Sequence, residues 1–117
     1  MGVKSLTLPS GIGLIEVRGA LLSDDELSGL RKAVTGFIER GERKLLIDFN
    51  GVTFINSSAI GVMVSAHTSY SKRSWELTFC GINKNVHLVL AITNLNKVFS
   101  IHGSREEALK AFSSSPG

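Results

Sequence analysis

The distribution of apolar and polar residues predicts two paired strands at the start of the chain. Leu6 and Leu8 indicate a short first strand, and 9–11 ("PSG") is a turn sequence. The next segment, 13–19 ("GLIEVRG"), alternates apolar with polar side chains, as a strand with one buried face does. Because turn residues join the two segments, they could form a hairpin.

A helix and a central strand are predicted next. Ser23 or Asp24 can cap the helix, acidic residues fill its first turn, and Gly41 can end it. The apolar residues of this helix recur every three or four positions and form one face: Leu27, Leu30, Val34, Phe37 and Ile38. The compact apolar run 44–49 ("KLLIDF") suits a central strand that is covered on both faces.

The alternation of helix and strand continues to the C-terminus. The predicted elements are a helix over about 58–71, a strand over 77–80, a helix capped by Asn83, a strand over 97–101, and a last helix. Ser104 can cap this last helix, with Glu107 completing a capping box. Strands that alternate with helices favour a largely parallel sheet with right-handed crossovers, so the pattern predicts a small α/β domain.

Composition narrows the classes of function. The chain has 117 residues, 43% of them hydrophobic, which fits one domain with a real core. Its formal charge of +3 is spread along the sequence, so nucleic-acid binding is not expected. Cys80, the single cysteine, can form neither an internal disulfide nor a multi-cysteine zinc site, and we expect a buried structural thiol. Neither a signal peptide nor a membrane-spanning run is visible, so we expect a cytoplasmic protein without metal, cofactor or membrane insertion.

Two adjacent serines, Ser57 and Ser58, lie where the central strand gives way to a helix. Functional sites collect at this edge of open α/β sheets, because helix N-termini present unpaired N–H groups there. Asn56, Ser57 and Ser58 can each cap the helix, yet one cap is enough. Capping alone therefore explains one of these side chains, and a further role for the others stays open.

Three functional interpretations of the serines compete. A catalytic nucleophile would fit the strand–turn–helix position, but the G-x-S-x-G motif is absent and no spacing links His67, His87 or His102 to Ser58. A phosphate-binding loop lacks the glycine patterns that such loops need. A serine that accepts a phosphate would gain a charge of about −1.5 to −2 and could switch partner binding without any catalysis by this protein.

The segment 45–67 ("LLIDFNGVTFINSSAIGVMVSAH") resembles the signature of the STAS domain, as found in bacterial anti-sigma factor antagonists. The matching positions are Asp48, Gly51-Val52, Phe54-Ile55, Ser57-Ser58 and Gly61. In the second half, Thr93, Leu95, Phe99 and 106–109 ("EEAL") agree with the ending of the family pattern. The resemblance covers roughly residues 5–112, so we expect a STAS domain over 1–112 and a flexible tail over 113–117.

The resemblance implies a mixed, mostly parallel sheet of four to five strands flanked by about four helices. It also implies a non-enzymatic regulator of transcription whose second serine, Ser58, is phosphorylated by a serine kinase that is itself the anti-sigma factor; Ser57 is the second choice. The unphosphorylated form would bind the kinase, and phosphorylation would release it. We expect the partner surface to include Leu21, Leu22, Asp24, Asn56, Ser57, Ala59, Ile60, Asn83 and Val86.

The chain departs from the family pattern beside the serines. Asn56 stands where the family has Asp, Ala59 where it has Gly, and 19–22 ("GALL") where it has G-E-L-D. Asn94 replaces a glycine, at a position where Asn can adopt a left-handed turn. These departures motivate an alternative function, a STAS interaction or scaffold module that is never phosphorylated, in a stress-signalling complex or beside a transporter. The oligomeric state is left open between monomer and weak dimer.

Overall fold

The computed structural model describes residues 2–21 and 23–112, without the side chain of Leu21. The expected tail, 113–117, therefore lies outside the described residues. Five strands and four α-helices follow one another along the chain: β1 (Gly2–Thr7), β2 (Gly13–Leu21), α1 (Asp24–Glu39), β3 (Lys44–Ile55), α2 (Ser57–Ser71), β4 (Glu76–Cys80), α3 (Lys84–Ile92), a short 3₁₀ helix (Leu95–Lys97), β5 (Ser100–His102) and α4 (Arg105–Ala111).

The strands form one sheet in the order β1-β2-β3-β4-β5. β1 pairs with β2 in antiparallel fashion, as the predicted hairpin requires, and the other three pairings are parallel. The predicted strand over 97–101 is wrong at its start. Asn94 adopts a left-handed conformation with φ 62° and opens the 3₁₀ helix, so the strand begins only at Ser100.

The sheet is covered on both faces, as the apolar run in β3 predicts. Leu45, Ile47 and Phe49 point into the larger core, which β3 shares with α1, α2 and α3. Leu46 points the other way, into a smaller core that includes Cys80 and Ala108 of α4. Adjacent residues of one strand thus serve both cores, because side chains alternate across a strand.

The predicted helix ends are largely confirmed. Ser23 caps α1 and forms a reciprocal capping box with Glu26. Gly41 follows α1 with φ +74°, a conformation that glycine adopts without strain. Ser104 caps α4 by accepting a hydrogen bond from the Glu107 N–H at 3.1 Å, but the Glu107 side chain does not bond back to the Ser104 N–H, so the predicted capping box is only half formed. Local side-chain chemistry therefore fixes where these helices begin and end.

An ion-pair cluster attaches α4 to the sheet. Glu16 and Asp48 lie directly opposite each other on β2 and β3, where two like charges would repel. Nη2 of Arg105 donates to Glu16 Oε2 at 2.6 Å and to Asp48 Oδ2 at 2.8 Å, and its Nε donates to Asp48 at 3.0 Å. The hydrogen bonds to Glu16 and then to Asp48 raise the pKa of Arg105 above its usual value. Arg105 is therefore the cation that permits the acidic pair.

Cys80 is fully buried, so we expect its thiol to be unreactive in the folded protein. Burial raises the pKa of the Cys80 thiol to about 12, and the neighbouring Asp48 carboxylate adds to the rise. Because only the thiolate attacks disulfides, Ellman's reagent at pH 8 should label the native chain at least ~1,000-fold more slowly than the chain unfolded in guanidinium. Absorbance of the released thiophenolate measures both rates. Labelling of the native protein within seconds would contradict a structural role for this thiol.

Candidate functional site

The candidate site is the edge of the sheet where β2, β3 and β4 end and α1, α2 and α3 begin. β3 is longer than its neighbour β4 and pairs with it only from Lys44 to Asp48. From Gly51 to Ile55, β3 pairs with β2 alone, and the register shifts once just before Gly51 and once between Val52 and Ile55. A two-stranded extension therefore projects from the sheet immediately before the serine pair.

Asn83 ties α3 to this extension. Its Oδ1 accepts a hydrogen bond from the Val86 N–H at 2.8 Å and so caps α3, as predicted. Its Nδ2 donates to the carbonyl oxygens of Val52 and Thr53 at 3.1 and 3.2 Å. The Asn83 amide thus provides hydrogen-bond partners both for the first turn of α3 and for carbonyl oxygens of β3 beyond the end of its pairing with β4.

Asn56, rather than either serine, caps α2. Its Oδ1 accepts from the Ala59 N–H at 2.9 Å, and its carbonyl oxygen accepts from the Ile60 N–H at 3.1 Å. The hydroxyls of Ser57 and Ser58 make no side-chain hydrogen bond within the part of the chain that the structure describes, and both serines are exposed. The sequence leaves open which of the three polar residues caps the helix. In the structure the Asn56 side chain is the cap, so neither serine hydroxyl is used for capping.

The surroundings of the serines carry little charge. Residues 49–71 contain no Asp, Glu, Lys or Arg. Ser57 and Ser58 occupy the first two positions of α2, where backbone N–H groups have no partner inside the helix and the helix dipole is positive. The exposed charges that begin the neighbouring helices are Asp24 and Asp25 on α1 and Lys84 on α3. Apart from the helix dipole, the start of α2 itself is therefore uncharged, with two acids and one lysine at the starts of the neighbouring helices.

Exposed apolar side chains lie on two of the elements that meet at this edge, β3 and α3. Phe54, in the β3 extension two residues before Asn56, is 55% exposed, and Leu88 and Ile92 of α3 are 60% and 72% exposed. Sequence reasoning missed all three. The signal was present in α3, where apolar residues surround the helix: the sheet buries Val86 and Leu90, so it cannot also bury Leu88 and Ile92, which point the other way.

The predicted partner surface is only partly accessible. Ser57 and Asp24 are exposed, and Asn56, Ile60 and Asn83 are half-buried. Ala59 and Val86 were wrong as contact residues, because both side chains are buried in the larger core and cannot touch a partner. Leu22 lies outside the described residues, and of Leu21 only the backbone in β2 is described.

A serine–histidine pair is not formed on α2. Ser58 and His67 are nine residues apart on this helix, about 13 Å along its axis, and the His67 ring packs against Phe99 with 5.5 Å between ring centroids.

Within residues 2–21 and 23–112, no cluster of three His, Cys, Asp or Glu side chains could hold a metal ion. None of the helices described is both long and apolar enough to span a membrane.

Comparison with known proteins gives the family. The family model of the STAS domain matches residues 5–108. This chain belongs to the STAS family. A curated relative, a candidate anti-sigma factor antagonist of Thermotoga neapolitana, is 32% identical over 74 residues. That match covers 63% of this STAS domain chain and 66% of the relative, just under two thirds of the relative's length.

Solved structures of similar proteins share the fold. The crystal structure of a candidate anti-sigma factor antagonist from Thermotoga maritima has a TM-score of 0.80 at 20% identity and covers 92% of each chain. The anti-sigma factor antagonist SpoIIAA in its unphosphorylated form has a TM-score of 0.70 at 14% identity, covering 93% of this chain and 94% of SpoIIAA. Phosphorylated Bacillus SpoIIAA has a TM-score of 0.74 at 14% identity, covering 93% and 97%. The predicted fold class is confirmed.

Proposed function

We propose that this STAS domain is a cytoplasmic, non-enzymatic switch that binds an anti-sigma factor with serine-kinase activity and is released when Ser58 is phosphorylated. The observation that carries the proposal is the Ser58 hydroxyl, which is exposed at the start of α2 and unused by the cap. SpoIIAA, which shares the fold, exists in unphosphorylated and phosphorylated forms. The resemblance favours Ser58 because it is the second serine of the pair.

The fold should tolerate a phosphate on Ser58. The side chain already points to solvent, so no buried group has to move. The unpartnered N–H groups of the first turn and the positive end of the helix dipole stabilise negative charge at this position. Asn56 keeps the cap without adding the negative charge that an aspartate would bring. Phosphorylation would therefore act on binding rather than on folding.

Binding should respond strongly to the same phosphate. A partner that packs on the start of α2 meets an uncharged stretch, 49–71, flanked by exposed Phe54. A phosphoserine there would bring about two negative charges into the interface, and burying an unpaired charge costs several kcal/mol. A partner surface that fits the neutral Ser58 hydroxyl would therefore bind the phosphorylated side chain much more weakly.

The test is to map the phosphate. The chain is incubated with ATP and the serine-kinase anti-sigma factor encoded nearest its gene, and modified peptides are located by mass spectrometry. We expect one phosphate on Ser58 in the wild type and in Ser57→Ala, and none in Ser58→Ala. Equal phosphorylation of Ser58→Ala would refute Ser58 as the acceptor, and an unmodified wild type that still binds its partner would favour the alternative of an unphosphorylated interaction module.

A further inference from the structure

The outer edge of β1 is open. β1 is the first strand of the sheet and, within residues 2–21 and 23–112, it pairs with β2 alone. Its six residues include no proline and no register shift, and all of them except Val3 are exposed. An open strand of this length can pair with a strand of another chain. β5, at the other edge of the sheet, has only three residues.

The direction of the free backbone groups of β1 follows from the hairpin. The Leu8 N–H donates to the Ile12 carbonyl oxygen at 2.8 Å, so the backbone groups of Leu8 face β2. Along an antiparallel strand, residues that bond to the neighbouring strand alternate with residues whose N–H and C=O groups point away from it. The register between β1 and β2 is regular, so counting back from Leu8 gives the residues whose backbone groups point outward: Val3, Ser5 and Thr7.

A second copy of β1 matches these outward groups. If Ser5 of two antiparallel copies lies at the centre, Val3 of each copy is opposite Thr7 of the other. All outward N–H and C=O groups then meet in three residue pairs with two hydrogen bonds each. The same register places Lys4 opposite Leu6, whose exposed side chain the lysine stem can cover. A register centred on Lys4 would instead bring two like charges together.

Helix α1 leaves room for a second copy beside β1. It lies across β1 and β2, and α2 packs along its other side. Neighbouring strands are about 4.8 Å apart, so a sheet that continues from one β1 to the other would place the two α1 helices about 10 Å apart. This is close to the usual distance between packed helices. The two copies could therefore join their helix layers as well as their sheets.

Small residues of α1 lie where the two helices would meet. A Cβ added to Gly29 would be 3.7 Å from the Val3 side chain, so Gly29 lies beside β1. β1 and α1 run in the same direction, because both are antiparallel to β2. The step from Val3 to Ser5 is about 7 Å, which corresponds to four or five residues of helix and leads from Gly29 to Ala33. The two-fold axis through Ser5 therefore passes beside Ala33.

The charged groups on this side of α1 do not oppose the contact. Glu26 and Arg40 lie towards its two ends, and antiparallel helices bring Glu26 of one copy towards Arg40 of the other. Within one chain, Glu26 accepts a hydrogen bond from the cap of α1, and Arg40 pairs with Glu42 at 2.9 Å. Lys32 is exposed on the side of α1 opposite its buried residues, away from the sheet. Like charges therefore do not face each other across the axis.

We propose that two copies of this chain form a dimer by antiparallel pairing of their β1 edges, with the two α1 helices side by side. The axis is two-fold, so this contact closes on itself and uses up both β1 edges. Pairing β1 with β5 of another copy would use only three residues and could repeat without closing. The proposal goes beyond the proposed function and does not depend on Ser58 or on any other protein.

Sedimentation velocity of the full chain tests the association. We expect a reversible dimer with a dissociation constant on the order of 100 µM, as for other small interfaces. Ser5→Pro removes an outward N–H but no hydrogen bond to β2, and proline is tolerated on an open edge. It should weaken the dimer at least about tenfold, because two hydrogen bonds are lost across the axis. Ser5→Ala keeps the N–H and should dimerise like the wild type. A wild-type chain that stays monomeric at about 1 mM overturns the proposal.

Two lysine variants test the contact between the α1 helices. An added Cβ meets only ordinary contacts at Gly29 and open space at Gly61 in α2, so both Gly29→Lys and Gly61→Lys should fold. Gly29→Lys places a charged side chain between the two helices and should weaken the dimer at least about tenfold. Gly61→Lys is the matched control and should dimerise like the wild type. Equal dimerisation of the two variants would contradict the predicted helix contact.

Hydrogen exchange measured by NMR identifies the strand that pairs. As the concentration of the chain rises, exchange of the outward amides of Val3, Ser5 and Thr7 should slow at least about tenfold. Exchange at Leu6 should change little, because its amide already bonds to β2. The proposal is overturned if Ser5→Pro dimerises as well as the wild type, or if dimerisation protects amides elsewhere and leaves these three unchanged.

Discussion

Ser58→Glu is expected to lower the affinity of this STAS domain for the proposed anti-sigma factor partner about 100-fold, whereas Ser58→Ala should change it less than about twofold. The hydroxyl makes no side-chain hydrogen bond to another described residue, so its removal leaves nothing unpaired. A carboxylate at the same position would be buried by the partner on a surface without charged side chains over 49–71. A 100-fold loss corresponds to about 2.7 kcal/mol, within the range for an unpaired charge at an interface. Isothermal titration calorimetry measures both affinities.

Ser58→Gln is the matched control, because it has the size of glutamate without its charge. If charge controls binding, glutamine should weaken the complex far less than glutamate. Equal losses for the two variants would show that bulk at the start of α2, not charge, is responsible. Thermal unfolding of the free proteins provides a second check: a glutamate in the first turn should not lower stability, because the helix dipole favours it there.

Much of this site follows from short-range sequence signals. The alternation of strands and helices predicts a parallel sheet, and the carboxyl ends of its strands are the edge where helix N-termini gather. Ser57 and Ser58 come directly after an apolar strand, so their position at that edge can be read from order alone. Their accessibility also follows, because the first turn of a capped helix at a sheet edge borders solvent.

The features that the sequence analysis predicted wrongly or missed depend on contacts between residues that are distant in sequence. Ala59 lies beside Ser58 in sequence but one helical position further round, where α2 faces the core. Val86 and Leu88 are equally apolar, and only the placement of α3 on the sheet decides which is buried. Arg105 gave no sequence signal, because its partners Asp48 and Glu16 lie 57 and 89 residues away. Local pattern fixes the elements, whereas packing decides which of their faces are exposed.

Gly81 is closely packed beside the site, and Gly81→Ala is expected to lower the free energy of unfolding by about 3–4 kcal/mol. Gly81 follows β4 with φ +69°, a conformation that L side chains rarely adopt. A Cβ there would lie 2.7 Å from the Asn50 backbone nitrogen, 2.8 Å from its Cα and 2.9 Å from Asp48 Oδ1. Two of these contacts are backbone atoms of the central strand, so relief requires β3 itself to move. Urea unfolding followed by circular dichroism measures the loss.

Two other glycines separate backbone strain from this steric conflict. Gly41 has φ +74°, but a Cβ added there would have no atom within 4 Å, so Gly41→Ala should cost about 1–2 kcal/mol from conformation alone. Gly61 lies inside α2, also in open space, and Gly61→Ala should stabilise the helix by up to about 1 kcal/mol. The order Gly81, Gly41, Gly61 in decreasing loss is therefore expected. If Gly81→Ala lowers the free energy of unfolding no more than Gly41→Ala, β3 must shift easily to make room for the added Cβ. The strand that leads to Ser58 would then be less rigid than its contacts indicate.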